Sequence, residues 1–132
     1  MNITEDYVSF EVAKLLKEKG FDEKCRNSYN LEGKFYVHTQ WHYPVTTIGY
    51  VAPTHQMTMK WLREEKRILI SIFCHIDKGY WFCIQHFIES PYKFATSESI
   101  HRKEEILGKI QYYDTYEQAV EAGIKYSLEN LI

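Results

Sequence analysis

Residues 73–83 read FCHIDKGYWFC, and His86 follows three residues later, so two cysteines and two histidines lie close together in the sequence. Thiolate and imidazole are zinc ligands and, as a pair, the working groups of cysteine nucleophiles. A second candidate is HTQWHYP at 38–44, where His38 and His42 stand four residues apart beside Trp41 and Tyr43. That spacing puts two imidazoles on one face of a helix, but no HExxH pattern surrounds them. The acidic neighbours Glu64-Glu65 and Glu104-Glu105 project roughly 100° apart on a helix, which rules out a shared-proton dyad. Glu64-Glu65-Lys66 has the E-x-K order that some nucleases place on a strand, yet it falls at a helix end and reads as a solvated face. G-x-S-x-G, a phosphate-cradling glycine loop and C-x-x-C are absent from the sequence.

Whether the cysteine cluster is a site depends on the element that carries it. Residues 68–76 and 80–88 are rich in β-branched and aromatic side chains and flank Asp77-Lys78-Gly79, which suits a three-residue hairpin turn closed by a left-handed glycine. That turn predicts Ile76 opposite Tyr80, Cys74 opposite Phe82, Ile72 opposite Ile84 and Ile70 opposite His86. Side chains alternate along a strand, so these residues share an isoleucine-rich face that belongs to the core. The other face carries Leu69, Ser71, Phe73, His75, Trp81, Cys83, Gln85 and Phe87. Cys74 and Cys83 then point to opposite sides, where neither a disulfide nor one metal joins them. His86 would lie roughly 13 Å along the sheet from the position opposite Cys74. Only Cys83 and His75 remain together, as diagonal neighbours, and two donors do not complete a zinc site. The expectation is therefore no metal and no cofactor, with Cys83 reacting faster than a core Cys74. His38 and His42 are expected in an exposed aromatic loop, or roughly 13 Å apart if the segment is extended.

The rest of the chain supplies helices and a few short strands. Ser9 is a good N-cap, Val12, Ala13, Leu15 and Leu16 form an apolar face, and Gly20 supplies a left-handed stop over which Phe21 can fold. Glu32-Gly33 suits a turn between two short strands in 24–50. Pro53-Thr54 opens a second helix with Met57, Trp61 and Leu62 on one side. Thr115 and Gln118 form a capping box for a third helix, with Tyr116, Ala119, Val120, Gly123, Ile124, Ser127, Leu128 and Leu131 as its buried stripe. Gly123 costs helix propensity, which points to a close approach by a sheet or helix. SESIHRKEEIL suits a short helix capped by Ser97 or Ser99, and KIQYY a short strand. Helices separated by a hairpin, without βαβ alternation, give a single α+β domain over 1–132. Its small, largely antiparallel sheet is centred on 68–88 and packs against two or three helices.

Of the 132 residues, 45% are hydrophobic and 16% aromatic, with a net charge of −2, so general attraction to nucleic acid or anionic membrane is absent. MNITEDYVSF lacks the basic and apolar regions of a signal peptide, and no apolar run approaches the roughly 18 residues of a membrane span. Three unpatterned cysteines read as reduced thiols, and the expected location is the host cytoplasm.

Three segments, YVSFEVAKLLKEKGFDEKC at 7–25, APTHQMTMKWLRE at 52–64 and YDTYEQAVEAGIKYSLENLI at 113–132, resemble a group of small uncharacterised proteins of gut anaerobic bacteria and their phages and prophages. The resemblance implies a phage or mobile-element context and brings no activity, cofactor or catalytic residue with it. The leading functional expectation is a non-enzymatic accessory or binding protein. Its contact residues would be Phe73, His75, Trp81, Cys83 and Phe87 on the sheet and His38, Trp41 and His42 in the loop, its partner another protein or a second copy. A second expectation is single-stranded nucleic-acid binding through Lys60, Arg63, Lys66 and Arg67 with the aromatic sheet. A third is a hydrolase with a dispersed Cys/His site.

Overall fold

A computed structural model describes residues 3–44, 47–87, 97–99 and 111–132. The chain forms two compact units, Met1–Thr58 and Met59–Ile132, each with its own antiparallel sheet. The fold is α+β.

In the first unit, helix α1 (Phe10–Glu18) begins where Ser9 Oγ accepts the Val12 N–H at 3.2 Å. It ends as its glycine predicts. Gly20 has φ +88°, and the Gly20 and Phe21 N–H groups donate back to Lys17 and Leu16, a Schellman stop that leaves Phe21 buried. Strands β1 (Cys25–Tyr29), β2 (Phe35–His42) and β3 (Tyr50–Val51) form a sheet in the order β2-β1-β3. The Glu32-Gly33 turn is present, held by Asn30 Oδ1, which accepts the Glu32 and Lys34 N–H groups at 3.0 and 2.8 Å. Val8, Val12, Ala13, Leu16, Phe21, Val51 and Ala52 are buried here, beside a chain of rings in which Phe10, Tyr29 and Phe35 meet edge-on or tilted. Of the two readings of the segment with His38, Trp41 and His42, an exposed aromatic loop or an extended stretch, the structure has the extended one, strand β2. Its run of aromatic and β-branched residues pairs with β1.

Helix α2 (His55–Lys66) starts at Thr54, whose Oγ1 accepts the Met57 N–H, and carries the chain into the second unit. It stops at Arg67, the only described non-glycine residue with positive φ. Strands β4 (Ile68–His75) and β5 (Gly79–Phe87) form the expected hairpin, and β6 (Ser97–Ser99) adds to β5. Ser97 and Ser99 therefore lie in a strand, not at a helix cap; the remainder of that expected helix lies outside the described residues. Helix α3 (Tyr116–Asn130) carries the full capping box between Thr115 and Gln118. It buries Ala119, Val120, Gly123, Ile124, Ser127 and Leu128, while Tyr116 is exposed rather than on the stripe.

The hairpin faces come out as read, but the register does not. His75 pairs with Gly79, Cys74 with Tyr80, Ile72 with Phe82 and Ile70 with Ile84, a slip of two residues from the expected pairs. The turn occupies 76–78, closed by Lys78 N–H donating to the His75 carbonyl. Gly79, at φ +104°, starts β5 instead of ending the turn. A second contact selects this arrangement: Tyr80 and Tyr113 exchange both backbone hydrogen bonds, and a Cβ on residue 79 would press into the Tyr113 carbonyl oxygen. A slip of two preserves which side chains share a face, because the pleat also repeats every two residues. It also moves Ile76 out of the strand and into the turn, where it is 94% exposed, and Cys74, expected in the core, is exposed near the end of the ladder. Gly123 makes the close approach its sequence implied: a Cβ there would sit 3.0 Å from Ile70 Cγ2 and 3.3 Å from Phe82 Cγ. No helix among the described residues is long and apolar enough to cross a membrane.

Candidate functional site

Helix α3 covers the sheet face that carries Ile70 and Phe82. On the opposite face Leu69, Ser71, Phe73, His75, Trp81, Cys83 and Gln85 are all half-buried or exposed. Phe73 and Trp81 are cross-strand partners, with rings stacked at 4.7 Å and 24° between planes. Phe73 is 47% exposed. Beyond them His75 meets the edge of Tyr112 at 6.0 Å, and Lys78 Nζ lies 5.5 Å from the same ring. Phe87 ends the strand opposite Ser97. The register separates the last sulfur–imidazole pair. Cys83 sits opposite Ser71, four strand positions from His75, so the two are not the diagonal neighbours expected. No group of three or more His, Cys, Asp or Glu among the described residues is arranged to hold a metal ion.

The histidines of β2 come together in a way no alternating strand allows. Val37 pairs with Asn27 and His42 with Cys25, so five residue steps on β2 face two on β1. The three extra residues form a large bulge of the special type. It folds the His38 and His42 rings to 4.8 Å, edge to face, in place of roughly 13 Å along a regular strand. Arg26, the one β1 residue inside the irregular stretch, holds the bulge. Its guanidinium donates to the Thr39 carbonyl at 3.3 Å and lies 5.7 Å from the Trp41 ring. Ser28 Oγ and His38 Nε2 share a 2.8 Å hydrogen bond, which fixes that imidazole.

Beside the bulge, and wholly within the first unit, is a concavity of about 450 Å³. Its walls include Tyr7, Cys25, Asn27, His38, Trp41 and Met57. Cys25 and Asn27 are alternate residues of β1 and share its inner face. Burial, reinforced by Glu23, pushes the Cys25 thiol up to about 12, so it is a neutral, inert sulfur 3.9 Å from Met57 Sδ. Cys25, Asn27, Ser28 and Met57 were not among the sequence candidates. A signal existed: CRNSY is a strongly polar sequence for the middle strand of a sheet, and three of its five residues are buried.

The basic helix offers less than its sequence suggests. Arg63 Nε pairs with its neighbour Glu64 at 3.3 Å, and Lys66 Nζ lies 5.3 Å from the Trp61 ring, while Lys60 and Arg67 are exposed. No protein-family model, curated protein or solved structure matches the chain.

Proposed function

We propose that the protein is a non-enzymatic accessory protein of phage or mobile-element type, and that it binds another polypeptide through the outer face of the β4–β5 hairpin. The observation that carries the reading is the Phe73–Trp81 stack, two large rings in contact across adjacent strands with Phe73 half in solvent. Aromatic side chains concentrate binding energy at protein interfaces because they bury large area with few rotors to freeze. The pair is pre-stacked, so little ordering cost remains for a partner to meet. His75, Tyr112 and Lys78 extend the same patch with polar edges suited to an interface rim. The phage context rests on the three resembling segments, which are scaffold in character and leave the hairpin free to vary in specificity.

The test is affinity capture with the parent chain and with the double variant Phe73→Ser/Trp81→Ser, whose fold is checked by circular dichroism. A polypeptide retained by the parent and lost by the folded variant is the expected result. Equal retention by both overturns the reading. Sedimentation of the two proteins decides whether that polypeptide is a second copy of the chain. Nucleic-acid binding has weaker support, since Glu64 and Trp61 already engage two of the four cations.

A further inference from the structure

The buried hydroxyls among the described residues all have partners. Ser28 bonds His38, Thr58 donates to the Thr54 carbonyl, and Ser127 donates to the Gly123 carbonyl, each at 2.8 Å. Asn27 differs. It is 8% exposed, its backbone carbonyl accepts the Ala52 N–H, and its carboxamide hydrogen-bonds no protein group among the described residues. Burying an amide without a partner forfeits its hydration with nothing in return, so such a group calls for a physical reason. Asn27 lines the 450 Å³ concavity, a size that suits a small organic ligand.

We infer that the concavity binds a planar heterocycle of the purine or pyrimidine type, read by the Asn27 carboxamide and stacked against Trp41. A carboxamide presents a donor beside an acceptor and matches a ligand edge with the same two groups in reverse order. Nucleobases have that edge, and asparagine pairs with adenine through two bonds of this kind. The other walls fit a flat ring. Trp41 is 52% exposed at the rim with the Arg26 guanidinium against it, while Tyr7 and the Met57 thioether supply apolar contact. Base–aromatic stacking of this sort is tolerant of base identity, because every base has a flat π face. His38 lines the same space, its imidazole hydrogen-bonded to Ser28. All of these residues belong to the first unit, so this inference and the hairpin-face reading stand or fall separately.

The experiment titrates ¹⁵N-labelled protein to millimolar concentration with adenine, adenosine, AMP and the corresponding cytosine series. The Asn27 side-chain amide and the Trp41 indole N–H are the reporters. Saturable shifts of both by one base series are expected, and the order of base, nucleoside and nucleotide tells which form the site takes. Asn27→Leu should weaken that binding at least about tenfold, and should raise the melting temperature of the free protein because it removes an unpaired buried amide of similar size. Asn27→Asp, which keeps the shape and loses the donor, and Trp41→Ala, at the exposed rim, should each weaken binding in a folded protein. No shift with any of the compounds overturns the inference. So does undiminished binding by Asn27→Leu, or a melting temperature of that variant below the parent's.

Discussion

At the scale of single residues, the three cysteines show how little a thiol's neighbours in sequence say about its chemistry. Cys74 sits on the α3 side of the sheet yet is exposed, because the hairpin runs beyond the helix that covers it; Cys83 is half-buried and Cys25 buried. Native alkylation followed by peptide mass analysis should therefore label Cys74 first, Cys83 more slowly and Cys25 last, the reverse of the order the expected register implied for the first two. Cys25 also links stability to pH. Its ordinary value is 9.0 and its folded value about 12, so the unfolded chain loses this proton first as pH rises. The contribution is fully present below pH 9 and is lost progressively between pH 9 and 12. Denaturant titrations should show the parent losing stability across that window faster than Cys25→Ala does. Parallel curves would mean that the thiol ionises as readily in the fold as outside it.

At the scale of elements, helix α3 and the hairpin are joined through Gly123. With Ile70 Cγ2 only 3.0 Å from where a side chain would begin, Gly123→Val should destabilise the protein by about 1–3 kcal/mol in denaturant melts despite its better helix propensity. This close approach was legible beforehand because a glycine within a helix's buried stripe gives up both propensity and apolar area, and gains only room for a neighbour. The caps at Ser9 and Thr115, the stop at Gly20 and the two faces of the hairpin were legible too, since all follow from local rules of hydrogen bonding and pleat. The register was not, because Tyr113 decides it. That residue is more than thirty positions from Gly79, and a turn read by itself carries no trace of the bridge. The β2 bulge escaped for a related reason. Alternation is the only signal a strand gives in sequence, and a bulge is the local suspension of alternation.

At the scale of the whole molecule, each of the two compact units has its own buried apolar residues. Leu16 anchors the first with Val8 and Val12, and Leu128 the second with Ile84 and Ile124. Leu16→Ala and Leu128→Ala should each cost about 2–5 kcal/mol as cavity-forming changes. Native hydrogen exchange should show the larger loss of amide protection within the unit that carries the substitution. Equal loss throughout would show that the two units open as one. The proposed contacts divide in the same way, with the aromatic stack on the second sheet and the Asn27 concavity on the first. A substitution that abolishes one should leave the other measurable.

The β2 bulge has a genetic consequence. Five steps on one strand face two on the other, so three residues of β2 have no counterpart in the ladder. An in-frame deletion of the three codons for Thr39, Gln40 and Trp41 would leave Val37 opposite Asn27 and bring His42 into place opposite Cys25 on a continuous ladder. The sheet could be spelled without them. Such a deletion would keep the ladder while removing Trp41 from the wall of the concavity, so it separates what the strand needs from what the bulge presents.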